Sequence, residues 1–224
     1  MNIADRLWRW PNGLVWRITH KKTVASRQKR FDLFMNVIRP KADDKVLDVG
    51  AGEGKGRAVN FFEDWYPYQK QLTVLSVEAM PEFKKRYPKI KLVVGDGRAL
   101  PFADNSFDIY FSNAVLEHVG SFENQKRFVH EACRVAKKVF IATPYRWFPV
   151  DFHTVIPFAH YFPMPMRNII YKIFGRKFYA SEESLRLTDI HEIKRMLPSG
   201  VKMKIYKQRL LGLVSNINII LERR

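Results

Sequence analysis

The chain has 224 residues, 46% of them hydrophobic, and a formal net charge of +17. That is enough apolar material for one α/β domain with a sizeable core, and it excludes a wholly disordered chain. A single cysteine, Cys133, excludes an internal disulfide framework, and no apolar run reaches the ~18 residues of a membrane span.

The first forty residues are basic and amphipathic. Nine Lys/Arg stand there against Asp5 and Asp32, with Trp8, Trp10, Val15, Trp16 and Ile18 interleaved among the cations. Phe31, Phe34, Met35 and Ile38 then recur at helical spacing and stop before Pro40. The expectation is a helical cap over residues 1–40, packed on the core; tryptophans anchored in a headgroup layer are the alternative. The start Met1-Asn2-Ile3-Ala4-Asp5-Arg6 lacks a signal peptide's apolar stretch, so a cytoplasmic location is expected.

The densest information lies in Val46-Leu47-Asp48-Val49-Gly50-Ala51-Gly52-Glu53-Gly54-Lys55-Gly56. A short apolar run, an acidic residue and glycines at every second position predict a buried strand, a tight turn and a helix start. Without Cβ atoms the turn can bend sharply and approach a ligand closely. A phosphate-binding P-loop needs four residues between its first glycine and a Gly-Lys-Ser/Thr end, and here only Ala51, Gly52 and Glu53 separate Gly50 from Gly54. The dinucleotide fingerprint needs glycine where Lys55 stands. Carboxylates at Asp48 and Glu53 favour a ligand with cationic character over a pyrophosphate.

Downstream, strand and helix alternate. Strands are expected near 45–49, 72–77, 90–94, 107–112 and 137–142, and helices near 56–65, 81–86 and 123–135. This implies a parallel sheet with helices on both faces. Asp48, Glu78, Asp96 and Asn113 then fall at or near strand carboxyl ends, where open sheets bind ligands. Val201–Tyr206 and Ser215–Leu221 read as two last strands joined across Leu211-Gly212.

Between core and last strands, residues 145–179 hold eleven aromatics, and four prolines prevent one long helix. Met166–Phe178 predicts a short basic helix with Ile169, Ile170, Ile173 and Phe174 on one side. Docking of that apolar side on the core is the expectation, and contact with a membrane surface the alternative.

Five blocks in order across residues 45–145 resemble the class I S-adenosylmethionine-dependent methyltransferases of the type 11-like group. They are the acidic glycine loop, Leu72–Glu78, Leu92–Gly97, Pro101–Asp108 and Asn113-Ala114-Val115-Leu116-Glu117-His118-Val119. The resemblance implies a Rossmann-like, seven-stranded, mostly parallel sheet completed by a C-terminal antiparallel hairpin. It implies one domain, with a cap (1–40), cofactor-binding core (41–145), aromatic substrate lid (146–183) and final helix and hairpin (184–224). It also implies S-adenosylmethionine as cofactor, held by Asp48, Gly50, Ala51, Gly52 and Gly54 at its amino acid end. Glu78 and Ala79 stand at the ribose, Asp96, Gly97 and Arg98 near the adenine, and Asn113 and Leu116 after the fourth strand.

Methyl transfer needs alignment, and a hydroxyl acceptor gains from a base. His118, and His153 with Asp151 in the lid, are the candidate catalytic residues, Glu117 standing behind them. No metal is expected, because His153 and His160 find no third ligand at sensible spacing. The aromatic lid points to a small-molecule, glycan- or lipid-linked acceptor, methylated at oxygen. The positive charge makes peripheral contact with an anionic membrane an accompanying expectation. RNA methylation is a weaker alternative, since Asn113 is followed by Ala114-Val115-Leu116 and not by an Asn-Pro-Pro-aromatic element. A non-catalytic docking module that retains the fold is the other alternative.

Overall fold

The computed structural model describes residues 14–53 and 59–223, with side chains from Thr23 onward. Gly54 and Gly56, Trp8 and Trp10, and the Trp16 side chain therefore lie outside what is described.

Helix α1 (Leu14–Ile38) leads into strand β1 (Val46–Val49). Its stripe Phe34 and Ile38, with Phe31, is buried against the sheet. Then follow α2 (Phe61–Trp65), β2 (Leu72–Ser76), α3 (Pro81–Arg86), β3 (Lys91–Val94) and β4 (Phe107–Asn113). Helix α4 (Phe122–Val135) runs into β5 (Ala136–Pro144). The lid carries α5 (Met164–Ile173), and α6 (Ile190–Met196) precedes β6 (Val201–Leu210) and β7 (Leu213–Arg223).

The seven strands form one sheet in the order β3-β2-β1-β4-β5-β7-β6, with β1 to β5 parallel and β7 antiparallel to both its neighbours. The last two are joined by Leu211 and Gly212, both at positive φ, as a two-residue hairpin turn requires. Strand alternation divides the core in two. Leu47 and Val49 face one layer with Tyr110 and Phe128, while Val46 faces the other with Phe34, Phe62, Phe111 and Phe140. In the second layer Phe111 stacks between Phe62 and Phe140, at 3.9 and 5.6 Å between ring centroids. The order reverses between β1 and β4, which opens a cleft beyond their carboxyl ends.

Candidate active site

Gly50 leaves β1 at φ +109°, a backbone that only glycine adopts readily, and a Cβ there would fall inside the Val115 side chain. The loop's next turn is clipped by Asn60, whose side chain accepts from Gly52 N (3.1 Å) and donates to Gly52 O (2.8 Å). A cleft of about 220 Å³ lies against this loop, lined also by Asp48, Glu63, Arg27 and Asn113.

Asp48 points to the face of β1 that carries α2, and meets Glu63 there. Both carboxyls are almost fully buried and hydrogen-bond each other. Burial raises the Asp48 pKa well above the carboxylate range, and the Glu63 charge adds to the effect. Burial likewise pushes Glu63 up to about 7, although the bond from Asp48 opposes it. Two buried acids so close cannot both ionise freely. Glu63 Oε1 is left without a hydrogen-bond partner.

Opposite this acidic pair stand two arginines of α1. Arg30 is buried and donates from Nη1 to Asn113 Oδ1 and from Nη2 to Gln208 (3.4 Å). Burial and the Arg27 charge pull its pKa down to about 10, while Glu117 raises it, so Arg30 lies within electrostatic reach of both the cleft and the turn after β4. Arg30, Arg27 and Glu63 escaped the sequence reading. The signal for Arg30 was available: it shares the i, i+4, i+8 stripe of Phe34 and Ile38.

The remaining predicted cofactor residues are spread along the strand ends. Glu78 and Ala79 are exposed just beyond β2. The Asp96 carboxylate is engaged by Arg98, through its backbone N (2.8 Å) and guanidinium (2.7 Å), which holds it below the usual range. Gly97 is required by packing, since a Cβ would meet Phe128 at 2.6 Å. Leu116 is fully buried in the core layer beside Phe128.

The candidate catalytic residues converge. A short 3₁₀ turn (Leu116–His118) follows β4, and the lid returns over it. His118 Nε2 lies 3.0 Å from His153 Nε2. His153 Nδ1 is 2.9 Å from Asp151 Oδ1, and His118 Nδ1 is 2.8 Å from the Ser184 carbonyl. Asp151 is itself fixed by Thr154, whose backbone N and Oγ1 each donate to Oδ2 at 2.8 Å. Burial pulls the His153 pKa down, but the Asp151 hydrogen bond and the Asp151 and Glu117 charges outweigh it, and the net shift is upward. Asp151 is lowered: burial works against this, and His153 and Thr154 prevail. Glu117 is fully buried; burial raises its pKa. Thr143 Oγ1 donates to Glu117 Oε2 at 3.0 Å.

The lid helix departs from expectation. Met166, Ile169 and Ile173 form a stripe that faces outward, with Ile169 58% and Ile173 73% exposed. Tyr171, on the opposite side, makes the buried contact instead. The amphipathic pattern fixed which residues share a face but not which face meets the core.

An open sheet with this strand order, an acidic glycine loop after β1 and ligand-facing groups at the strand ends is the architecture of the class I S-adenosylmethionine-dependent methyltransferases. Residues 47–139 match the methyltransferase domain family. Over 99 residues the chain is 35% identical to malonyl-[acyl-carrier protein] O-methyltransferase of Methylococcus capsulatus, covering 42% of this chain and 34% of that one. It is 35% identical over 98 residues to demethylmenaquinone methyltransferase of Renibacterium salmoninarum, covering 42% and 37%. The matched segment thus spans about a third of these relatives' length. A Pyrococcus horikoshii protein shares the fold over 100% of both chains, with a TM-score of 0.59 and 14% identity. Residues 47–139 thus resemble a methyltransferase domain, set in a chain with the fold of that class.

The residues present fit the cofactor of that class. An α-ammonium group would give the unpartnered Glu63 Oε1 a donor and let the buried acid pair ionise, and Arg27, which lines the cleft, complements an α-carboxylate. Exposed Glu78 is free to accept from ribose hydroxyls.

Proposed function

We propose that this domain moves a methyl group from S-adenosylmethionine to a hydroxyl oxygen of a lipid-linked acceptor, reached from an anionic membrane surface. The cofactor supplies a methyl group on a sulfonium, already activated for displacement, so the chain's main task is alignment. Asp48 and Glu63 would hold the ammonium end, Arg27 the carboxylate with the Arg30 charge behind it, and Glu78 the ribose. An acceptor oxygen aligned with that methyl would take it, with the carbon–sulfur electron pair left on sulfur. The hydroxyl proton passes to the Nε2 atoms of the His118–His153 pair, with Asp151 holding the His153 Nδ1–H in the receptive tautomer.

The lid (146–183) carries the acceptor part of the reading. Ile169, Ile173, Phe174 and Phe178 are each more than half exposed, and Lys172 and Lys177 are exposed among them. Burial of such side chains is worth about 1.5–3 kcal/mol each, so a soluble surface gains nothing from displaying four of them, whereas a headgroup layer accepts both the apolar stripe and the cations. The two relatives are named for a malonyl-[acyl-carrier protein] and a demethylmenaquinone acceptor.

The test is co-sedimentation with vesicles of phosphatidylglycerol or of phosphatidylcholine, alongside incorporation of labelled methyl into extracted lipid. The expected result is salt-sensitive binding to the anionic vesicles and labelled lipid, both lost in an Ile169→Ser/Ile173→Ser/Phe178→Ser variant that still binds S-adenosylmethionine. Equal binding by that variant, or binding to oligonucleotides in place of vesicles, contradicts the reading.

A further inference from the structure

The two imidazoles beside the cleft pose a problem in electron pairs. The Ser184 carbonyl can only accept, so the His118 Nδ1 opposite it carries the proton. The Asp151 carboxylate oxygen, 2.9 Å from His153 Nδ1, accepts the proton there in the same way. Each neutral ring then turns a lone pair outward from Nε2, and the two Nε2 atoms face each other at 3.0 Å. Two lone pairs at that distance repel unless an electron-poor centre, a proton or a metal cation, lies between them.

A third group converges on the same place. Glu117 Oε1 is buried, has no hydrogen-bond partner and lies 3.9 Å from His153 Nε2. The other oxygen of the same carboxylate is fixed by Thr143. Ligand atoms of Glu117, His118 and His153 all lie within 4.8 Å of one another. The outer supports are those that metal-binding imidazoles use, a carboxylate behind one ring and a backbone carbonyl behind the other. Thr154 fixes Asp151 in turn, and the backbone of the turn is held by Arg186 N donating to Glu117 O (2.8 Å) and Gln125 Nε2 donating to Leu116 O (2.9 Å).

We propose that His118 Nε2, His153 Nε2 and Glu117 Oε1 bind a divalent transition-metal cation of the zinc type. Two imidazoles and one carboxylate are the protein ligands of open, catalytic zinc sites, which leave a position for water or substrate. Imidazole donors select such ions over magnesium or calcium. In a tetrahedral site with ligand bonds of about 2.0–2.1 Å, donor atoms stand roughly 3.3 Å apart, a spacing between the 3.0 and 3.9 Å found here. The sequence expectation of no metal considered spacing along the chain. The lid closes a gap of 35 residues between His118 and His153 that spacing does not register.

The inference rests on the reading of this corner as the acceptor site. With a cation bound, the imidazoles hold metal instead of taking a proton, and a coordinated acceptor hydroxyl loses its proton to water at a lowered pKa.

The experiment is titration of the EDTA-treated protein with Zn²⁺ by calorimetry and with Co²⁺ by visible absorption. The expected result is one ion per chain, with the intense d–d bands of low-coordinate Co²⁺ and no displacement by millimolar-range Mg²⁺. Affinity falls about 10–100-fold in Asp151→Asn, which touches no ion directly, and by more in the His118→Gln/His153→Gln double variant. Retained S-adenosylmethionine binding shows that the variants are folded. Sub-stoichiometric binding, or Zn²⁺ affinity unchanged in the double variant, overturns the proposal. If Zn²⁺ does not bind while the EDTA-treated protein still transfers methyl groups, the metal inference falls and the functional reading stands. If Zn²⁺ binds as described but S-adenosylmethionine does not, the reverse holds.

Discussion

Glu63→Gln tests the buried acid pair on which the cofactor site is built. In the folded chain burial pushes the Glu63 pKa from its ordinary value of 4.5 to about 7, whereas the unfolded chain titrates near the ordinary value. The folded state therefore holds a proton that the unfolded state releases between those two pH values, and its stability falls as pH rises through that window. At 1.36 kcal/mol per pKa unit the Glu63 share is roughly 3 kcal/mol. Glutamine keeps the shape and cannot ionise. Urea denaturation of wild type and variant across pH 4.5 to 8, without cofactor, reads this share together with the relief of Asp48, whose pKa the Glu63 charge also raises. The variant's stability relative to wild type should climb by roughly 3 kcal/mol from the acid end to above pH 7, then level off. A difference that is flat with pH, or that declines, refutes the claim that the pair holds a shared proton.

Two other perturbations address the loop and the histidines. Gly50→Ala should cost about 1–3 kcal/mol in backbone strain and weaken S-adenosylmethionine binding; adding Val115→Ala should recover the steric part of the loss but not the strain, as read by denaturation and calorimetry. In metal-free protein, Asp151→Asn should lower the maximal methyl-transfer rate about 100-fold or more. It should also move the acid limb of the pH–rate profile to lower pH, because Asp151 raises the His153 pKa and the base must be neutral to act. An acid limb that moves up contradicts the role given to Asp151.

The core of this chain was legible because its signals are local. Val46–Gly52 declares a strand and a turn within seven residues, and Leu211-Gly212 announces the final hairpin in two. Glu78, Asp96 and Asn113 could be placed at strand ends from alternation alone. What stayed hidden depends on which surface meets which. Glu63 and Arg30 become site residues only when α2 and α1 pack on the face of β1 that carries Asp48. Ile169 and Ile173 share a side of α5 by periodicity, but nothing in periodicity says whether that side turns inward. His118 and His153 were both visible as candidates, yet their pairing with Glu117 required the lid to fold back over β4.

Calorimetric titration of the chain with S-adenosylmethionine shows directly whether the strand ends hold that compound. One molecule should bind per chain, and Glu78→Ala, which removes a charged hydrogen-bond acceptor worth about 1.5–3 kcal/mol, should weaken binding about 10–100-fold. Absence of binding by the wild-type chain, or unchanged affinity in Glu78→Ala, would contradict the account.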